Sequence, residues 1–235
     1  LRRFDRRIYV DLPDRNERLM FIKNRLVTSN QTISDDLIEN IAMRSTGMSL
    51  AELESVVDFA LRRMLQLDKT TLSDELFAEV FETFCYGEKQ NCNAETLNRV
   101  AVHEAGHTLI SSLCGNKPTY VTITGRSNFG GYALYSRDDR AQTKKLLLGE
   151  IRIALAGRAA EMLFFGDEEG VSTGAQSDIR VATEIAKKMI TTYGMNEEHG
   201  LMYEEGPTRE ETIYLCNQIL SQELAKAKEI LKQNR

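Results

Sequence analysis

The sequence predicts a mainly α-helical protein with one small β-sheet, arranged as two domains. Three observations predict it. Apolar residues recur at i, i+3 and i+4 through most of the chain, and capping-type side chains stand where those stretches begin. Only short segments, chiefly 119–124 and 132–136, carry the β-rich, alternating pattern of strands. At 235 residues and 42% hydrophobic content the chain can build one large core or two modest ones.

The elements follow in order. Ile8 to Leu12 reads as a short strand, ended by Pro13-Asp14, which can turn the chain and cap the next helix. Segment 18–27 sets Leu19, Ile22 and Leu26 on one face, and Leu37, Ile38 and Ile41 do the same for a second helix. Ser49-Leu50-Ala51-Glu52 is a capping-box pattern opening a helix with Leu53, Val56, Val57, Ala60, Leu61 and Met64 in phase. Segment 73–84 supplies a fourth helix, and a polar stretch at 87–93 marks a boundary between domains 1–90 and 91–235. Asn93 can then cap a helix to about Leu113. Two short strands follow, around a turn-like 125–131, and helices resume at 142–165, 175–193 and from 209 onward.

Composition narrows the function classes. A net charge of −5 with both signs interspersed leaves no basic face for nucleic acid and no polybasic membrane anchor. The four cysteines lie 7, 22 and 102 residues apart, without a C-x-x-C pair or a disulfide framework, as expected of reduced thiols in a cytosol-like compartment. The longest apolar stretch, 146–165, is interrupted by Glu150, Arg152, Arg158 and Glu161, so no membrane span is expected, and no signal peptide opens the chain.

The chemistry concentrates at His103-Glu104-Ala105-Gly106-His107, an H-E-x-x-H pattern. On a helix, i and i+4 share a face, so the two imidazoles can share one metal while Glu104 acts as general base toward an attacking water. The competing reading is a solvated polar face. Against it, Val100, Ala101, Val102, Ala105, Leu109, Ile110 and Leu113 surround the motif, which predicts a helix buried nearly all round. Burying three ionisable groups there is costly unless they are paired or metal-bound. Gly106 costs about 1 kcal/mol against Ala in a helix interior, which implies a close approach to the backbone.

A catalytic zinc takes three protein ligands, and the metzincin extension is excluded because position 113 is Leu113. Glu150, Glu161, Asp167, Asp178 and His199 remain as third-ligand candidates. Asp178 shares a helix face with Val181, Ala182 and Ile185, which would turn its carboxylate inward. An ordinary first-turn acid favoured by the helix dipole fits Asp178 equally well, and Glu161 fits as ligand or outer-shell partner.

His103 to His107, Gly157-Arg158-Ala159-Ala160-Glu161, and Ser172-Thr173-Gly174-Ala175-Gln176-Ser177-Asp178, in this order, resemble the FtsH family of ATP-dependent zinc proteases. Upstream, Arg3-Phe4-Asp5-Arg6 with Val10 to Asp14 resembles the end of that family's AAA+ core, and Thr46 to Leu53 resembles its helical lid. The resemblance implies an AAA+ lid followed by a mostly helical zinc protease domain. It implies zinc on His103, His107 and Asp178, Glu104 as catalytic base, and an outer-shell role for Glu161. It also implies unfolded or membrane polypeptides as substrates, bound by strand addition near 130–135, a homo-hexamer, and a place at the cytoplasmic face of a bacterial inner membrane or its organellar equivalent. No G-x-x-x-x-G-K-[ST] phosphate loop is present, so ATP is expected to act in an upstream domain and this chain to be the C-terminal part of such a protease. Arg3 fits either an arginine finger or a basic strand-edge cluster. The contrasting function class is a catalytically silent AAA+ assembly module, which would have little need of Glu104.

Overall fold

Helix starts in this chain are chosen by side chains that accept the free N–H groups of the first turn. Asp14, Ser34, Ser49 and Ser73 cap α1 (Arg15–Thr28), α2 (Asp35–Arg44), α3 (Leu50–Gln66) and α4 (Asp74–Tyr86). Asn93, Thr143 and Thr208 cap α5 (Ala94–Leu113), α6 (Lys144–Phe165) and α8 (Arg209–Gln233). At Asp14, Ser49 and Thr208 the box is reciprocal, with Glu17, Glu52 and Glu211 reaching back to the cap N–H. Each such cap is worth about 1 kcal/mol, so polar residues set the frame into which the apolar stripes fall. The computed structural model of the chain describes residues 9–116, 118–127, 130–135, 141–166, 170–195 and 207–234.

The chain divides into two compact units, Leu1–Lys89 and Gln90–Arg235. In the first, α1 to α4 bury Ile22, Leu26, Ile41, Leu53, Val57, Phe77 and Phe81 in one core. Two arginines are drawn inside with it. Arg18 donates to the Ala42 carbonyl at 3.0 and 2.8 Å and to that of Pro13 at 2.7 Å. Arg44 pairs with the buried Glu82 and lies 5.0 Å from the centre of the Phe81 ring. The strand expected from Ile8 to Leu12 does not form over residues 9–12: Tyr9, Val10 and Leu12 are exposed, and no described segment pairs with them. β-rich side chains alone do not make a strand without a ladder partner. Ile8 and Arg3 to Arg6 lie outside the described residues.

The second unit is organised around α6, which packs against α5, α8 and α7 (Gln176–Thr191). Leu147, Ile151 and Leu155 of α6 meet Ala182, Ala186, Met189 and Leu215, while Ala156, Ala159 and Ala160 meet Ile110, Ala227 and Leu231. α8 is tied down by the fully buried Glu223, which accepts from Arg152 at 2.8 and 2.6 Å and from Lys226 at 2.6 Å. Strands β1 (Pro118–Thr122) and β2 (Tyr132–Tyr135) pair antiparallel, with Tyr120 opposite Leu134 and Thr122 opposite Tyr132. No described helix is long and apolar enough to cross a membrane.

One expectation for α5 is corrected. The helix is not apolar and buried all round: Ala105 and Leu113 are exposed, and Val100, Ala101, Val102 and Leu109 only half-buried. Its buried face is His103, Glu104, Gly106, His107, Ile110 and Ser111. The reason is steric. A Cβ on Gly106 would stand 2.7 Å from both the Ala156 carbonyl oxygen and the Ala160 Cβ, so small residues bring α5 and α6 together along the motif face itself.

Candidate metal centre

On α5 the four-residue spacing stacks the two imidazoles one turn apart, with ring centroids 4.8 Å apart. What aims them comes from α6. The backbone carbonyl of Ile153 lies 2.7 Å from His107 Nδ1. A carbonyl can only accept, so Nδ1 carries the proton and Nε2 presents its lone pair. Glu161, 2% exposed, holds His103 in the same way, with Oε1 2.6 Å from Nδ1. Gly157 makes room for that ring, since a Cβ there would sit 2.3 Å from His103 Nε2.

The two Nε2 atoms therefore face one another at 3.0 Å, and Asp178 Oδ2, carried on the first turn of α7, lies 3.1 Å from one and 3.4 Å from the other. With both imidazoles neutral, two lone pairs and a carboxylate would converge with no proton between them and repel one another. A cation in their midst removes the conflict. The three ligand atoms lie within 4.8 Å of one another. Donors bound tetrahedrally at about 2.0–2.1 Å from zinc stand roughly 3.3 Å apart, close to the separations present here. The donor set of two imidazoles and one carboxylate is also a zinc-type set with room for a fourth, non-protein ligand.

The ionisation pattern follows the geometry. Burial opposes charge on His103, but hydrogen bonds to Asp178 and Glu161 outweigh it and hold the pKa above its ordinary value. Burial likewise works against the Asp178 and Glu161 carboxylates, yet both stay well into the anionic range. His103 and His107 dominate for Asp178; the Ser172 backbone N–H and then His103 dominate for Glu161. Glu104 goes the other way: burial raises its pKa, and the nearby histidines only partly offset this.

Of the sequence candidates, His103, Glu104, His107 and Asp178 line one cleft, with Tyr132 and Ala133 of β2 on its wall. Glu161 lies behind His103. Glu150 is exposed on α6 and takes no part in the ligand cluster, while Asp167 and His199 fall outside the described residues. The stripe assigned to α7 is shifted: Val181 is 44% exposed, and Ala182, Ala186, Met189 and Ile190 form the buried face. Asp178 is half-buried because it borders the cleft, not because it belongs to an apolar stripe. The Ile153 carbonyl, the clearance at Gly157 and the bonds of Ser172 were not assigned from sequence. Gly157 and Ser172 stand inside the quoted motifs, but only folding shows what they face.

A helix-borne H-E-x-x-H pair, with a carboxylate from a second helix beside it in an open cleft, defines a metallopeptidase class of site. Comparison with known proteins gives the family. Residues 91–235 match the model of peptidase family M41. Over 95% of its length the chain is 34% identical to the ATP-dependent zinc metalloprotease FtsH of Mycoplasma mobile, of which it spans 33%. It is 36% identical over 86% of its length to FtsH of Mycoplasmopsis pulmonis, spanning 29% of it, and 33% identical over 94% to FtsH of Halothermothrix orenii, spanning 35%. The chain belongs to peptidase family M41. It spans about a third of the length of these curated relatives.

Proposed function

We propose that this chain carries the proteolytic centre of an ATP-dependent zinc endopeptidase that degrades unfolded or membrane polypeptides. The observation that carries the reading is the convergence of His103 Nε2, His107 Nε2 and Asp178 Oδ2 at 3.0 to 3.4 Å, beside a buried Glu104. In this reading those three side chains hold zinc. Bound there, zinc supplies a Lewis acid that polarises water and the scissile carbonyl. Glu104 takes the proton of the attacking water on its carboxylate and returns it to the leaving amine, a role its raised pKa favours. The edge of β2 offers extended backbone for a substrate strand, which makes recognition tolerant of side-chain sequence. The first unit acts as the helical lid of an AAA+ engine completed by upstream chain, with ATP, a membrane anchor on the cytoplasmic side and a hexameric ring belonging to the complete protein. The names of the relatives support the ATP and zinc parts of this reading.

The test is a fluorogenic peptide assay with metal analysis. Wild type should hold about one zinc and lose hydrolysis on chelation. Glu104→Gln should keep the metal and lose hydrolysis by about 10²- to 10⁴-fold. Hydrolysis that survives both chelation and Glu104→Gln would remove the reading, and a chain that binds zinc but never hydrolyses would favour an assembly module.

A further inference from the structure

Of the residues lining the cleft, one that is not in the ligand cluster turns its polar groups toward the frame behind the histidines. Ser172 lies in the loop before the 3-10 turn Thr173–Ala175 that leads into α7. Its N–H donates to Glu161 Oε2 at 2.9 Å and its hydroxyl to Glu161 Oε1 at 3.0 Å. The same hydroxyl oxygen accepts from the Gly174 N–H at 3.1 Å, and the Ser172 carbonyl accepts from Arg158 Nη2 at 2.9 Å.

These four bonds join two halves of the site. Glu161 and Arg158 are on α6, and Glu161 orients His103 of α5. Gly174 lies within the turn that delivers Asp178 on α7. The hydroxyl is the hinge point, because it donates to the α6 side and accepts from the α7 side at once. Besides the Ser172 N–H, no other described hydrogen bond links the Glu161 carboxylate to the turn before Asp178. A ligand set assembled from two helices and backed by a third needs its members held to within about half an ångström, and outer partners of metal-binding histidines typically contribute 10- to 100-fold in affinity.

We propose that Ser172 is a positioning residue, which couples the His103 side of the metal centre to the Asp178 side through Glu161 and so sets zinc affinity without touching metal or substrate. The proposal rests on the metal reading above. It makes Ser172 more than a loop cap: removing the hydroxyl deletes one of the two bonds from Ser172 to Glu161 and the bond from Gly174, while the Ser172 N–H still meets Glu161 and its carbonyl still meets Arg158, so the loop survives but the carboxylate and the turn lose their shared contact.

The experiment measures zinc affinity by chelator competition in the 235-residue chain, for wild type, Ser172→Ala, Ser172→Thr, Glu161→Ala and the Ser172→Ala, Glu161→Ala double variant, with metal-free thermal unfolding alongside. Ser172→Ala should weaken zinc binding about 10-fold, Ser172→Thr should restore most of it by keeping a hydroxyl, and the double variant should bind little worse than Glu161→Ala alone. Additive losses would show that Ser172 does not act through Glu161 and would overturn the proposal. Unchanged zinc affinity in Ser172→Ala, with or without a lower unfolding temperature, would overturn it too and leave a purely structural cap. If Ser172→Ala does not fold, Ser172→Thr decides, since a loss of affinity as deep as that of Glu161→Ala contradicts the assigned role of the hydroxyl. A wild-type chain that takes up no zinc would overturn the metal reading first and this inference with it.

Discussion

Both units bury ionisable groups, and the arginines inside the first resolve the cost in the opposite way to the metal centre of the second. In the first, Arg44 meets Glu82, and Arg18 donates to two backbone carbonyls, so both buried guanidinium groups find acceptors within the fold. In the second, the histidine nitrogens and Asp178 direct lone pairs at one another, and their backing groups, Glu161 and the Ile153 carbonyl, add more acceptors. A closed pair reports on stability; a cluster short of positive charge reports on what it binds. The contrast separates structural burial from functional burial without reference to any family.

The largest effect should come from breaking the closed pair. Glu82→Ala removes the carboxylate that meets the buried Arg44 and should cost about 3–5 kcal/mol of stability in the first unit, seen as a fall in its denaturant midpoint. Zinc content should not change, and a change there would mean the two units do not differ as described. Next is the open cluster. Asp178→Asn keeps shape but loses the charge opposite the imidazoles, and should weaken zinc binding by about 10- to 100-fold with little unfolding. Glu161→Gln should do less. The reverse order, with Glu161→Gln the more damaging, would exchange their roles.

The smallest effect is a pH dependence of the metal-free protein. His103 has a raised folded pKa, so its contribution is present below its unfolded value and fades as pH rises through the folded one. Asp178 and Glu161 have lowered folded pKa values, so theirs is present above the unfolded carboxylate values and fades as pH falls. The metal-free second unit should therefore melt higher near about pH 5.5 than near about pH 8, between the ordinary carboxylate and imidazole ranges. Zinc should reverse the order, because bound imidazoles must be neutral. Melting curves with and without chelator at the two pH values check both halves of the claim.

How much was legible depended on what each helix buries. α3 was readable residue by residue, from the Ser49 and Glu52 box through Leu53, Val56, Val57, Ala60 and Met64, because an apolar stripe and a cap speak directly to the fold. α5 was readable as a motif on a helix and misread as packing, since the face that goes inside is His103, Glu104, Gly106 and His107 while Leu113 stays out. The His103 and His107 spacing follows from local helix geometry, but the approach of Asp178 depends on three-helix packing that no local period encodes. The strand placed at Ile8 to Leu12 failed for the same reason over residues 9–12, as pairing is a property of two segments.

The two imidazoles also differ in how they can drift. His107 is oriented by a main-chain oxygen, which residue 153 retains whatever side chain it carries, so point mutation there cannot delete the contact, only shift it. His103 is oriented by a carboxylate at position 161 that depends on Ser172 and on the empty space at Gly157, and a single nucleotide change at any of the three can undo it. Beyond the ligands themselves, inherited loss of function should accumulate among the residues that orient His103, and a survey of inactive variants sorted by position would find positions 157, 161 and 172 fragile and position 153 nearly silent.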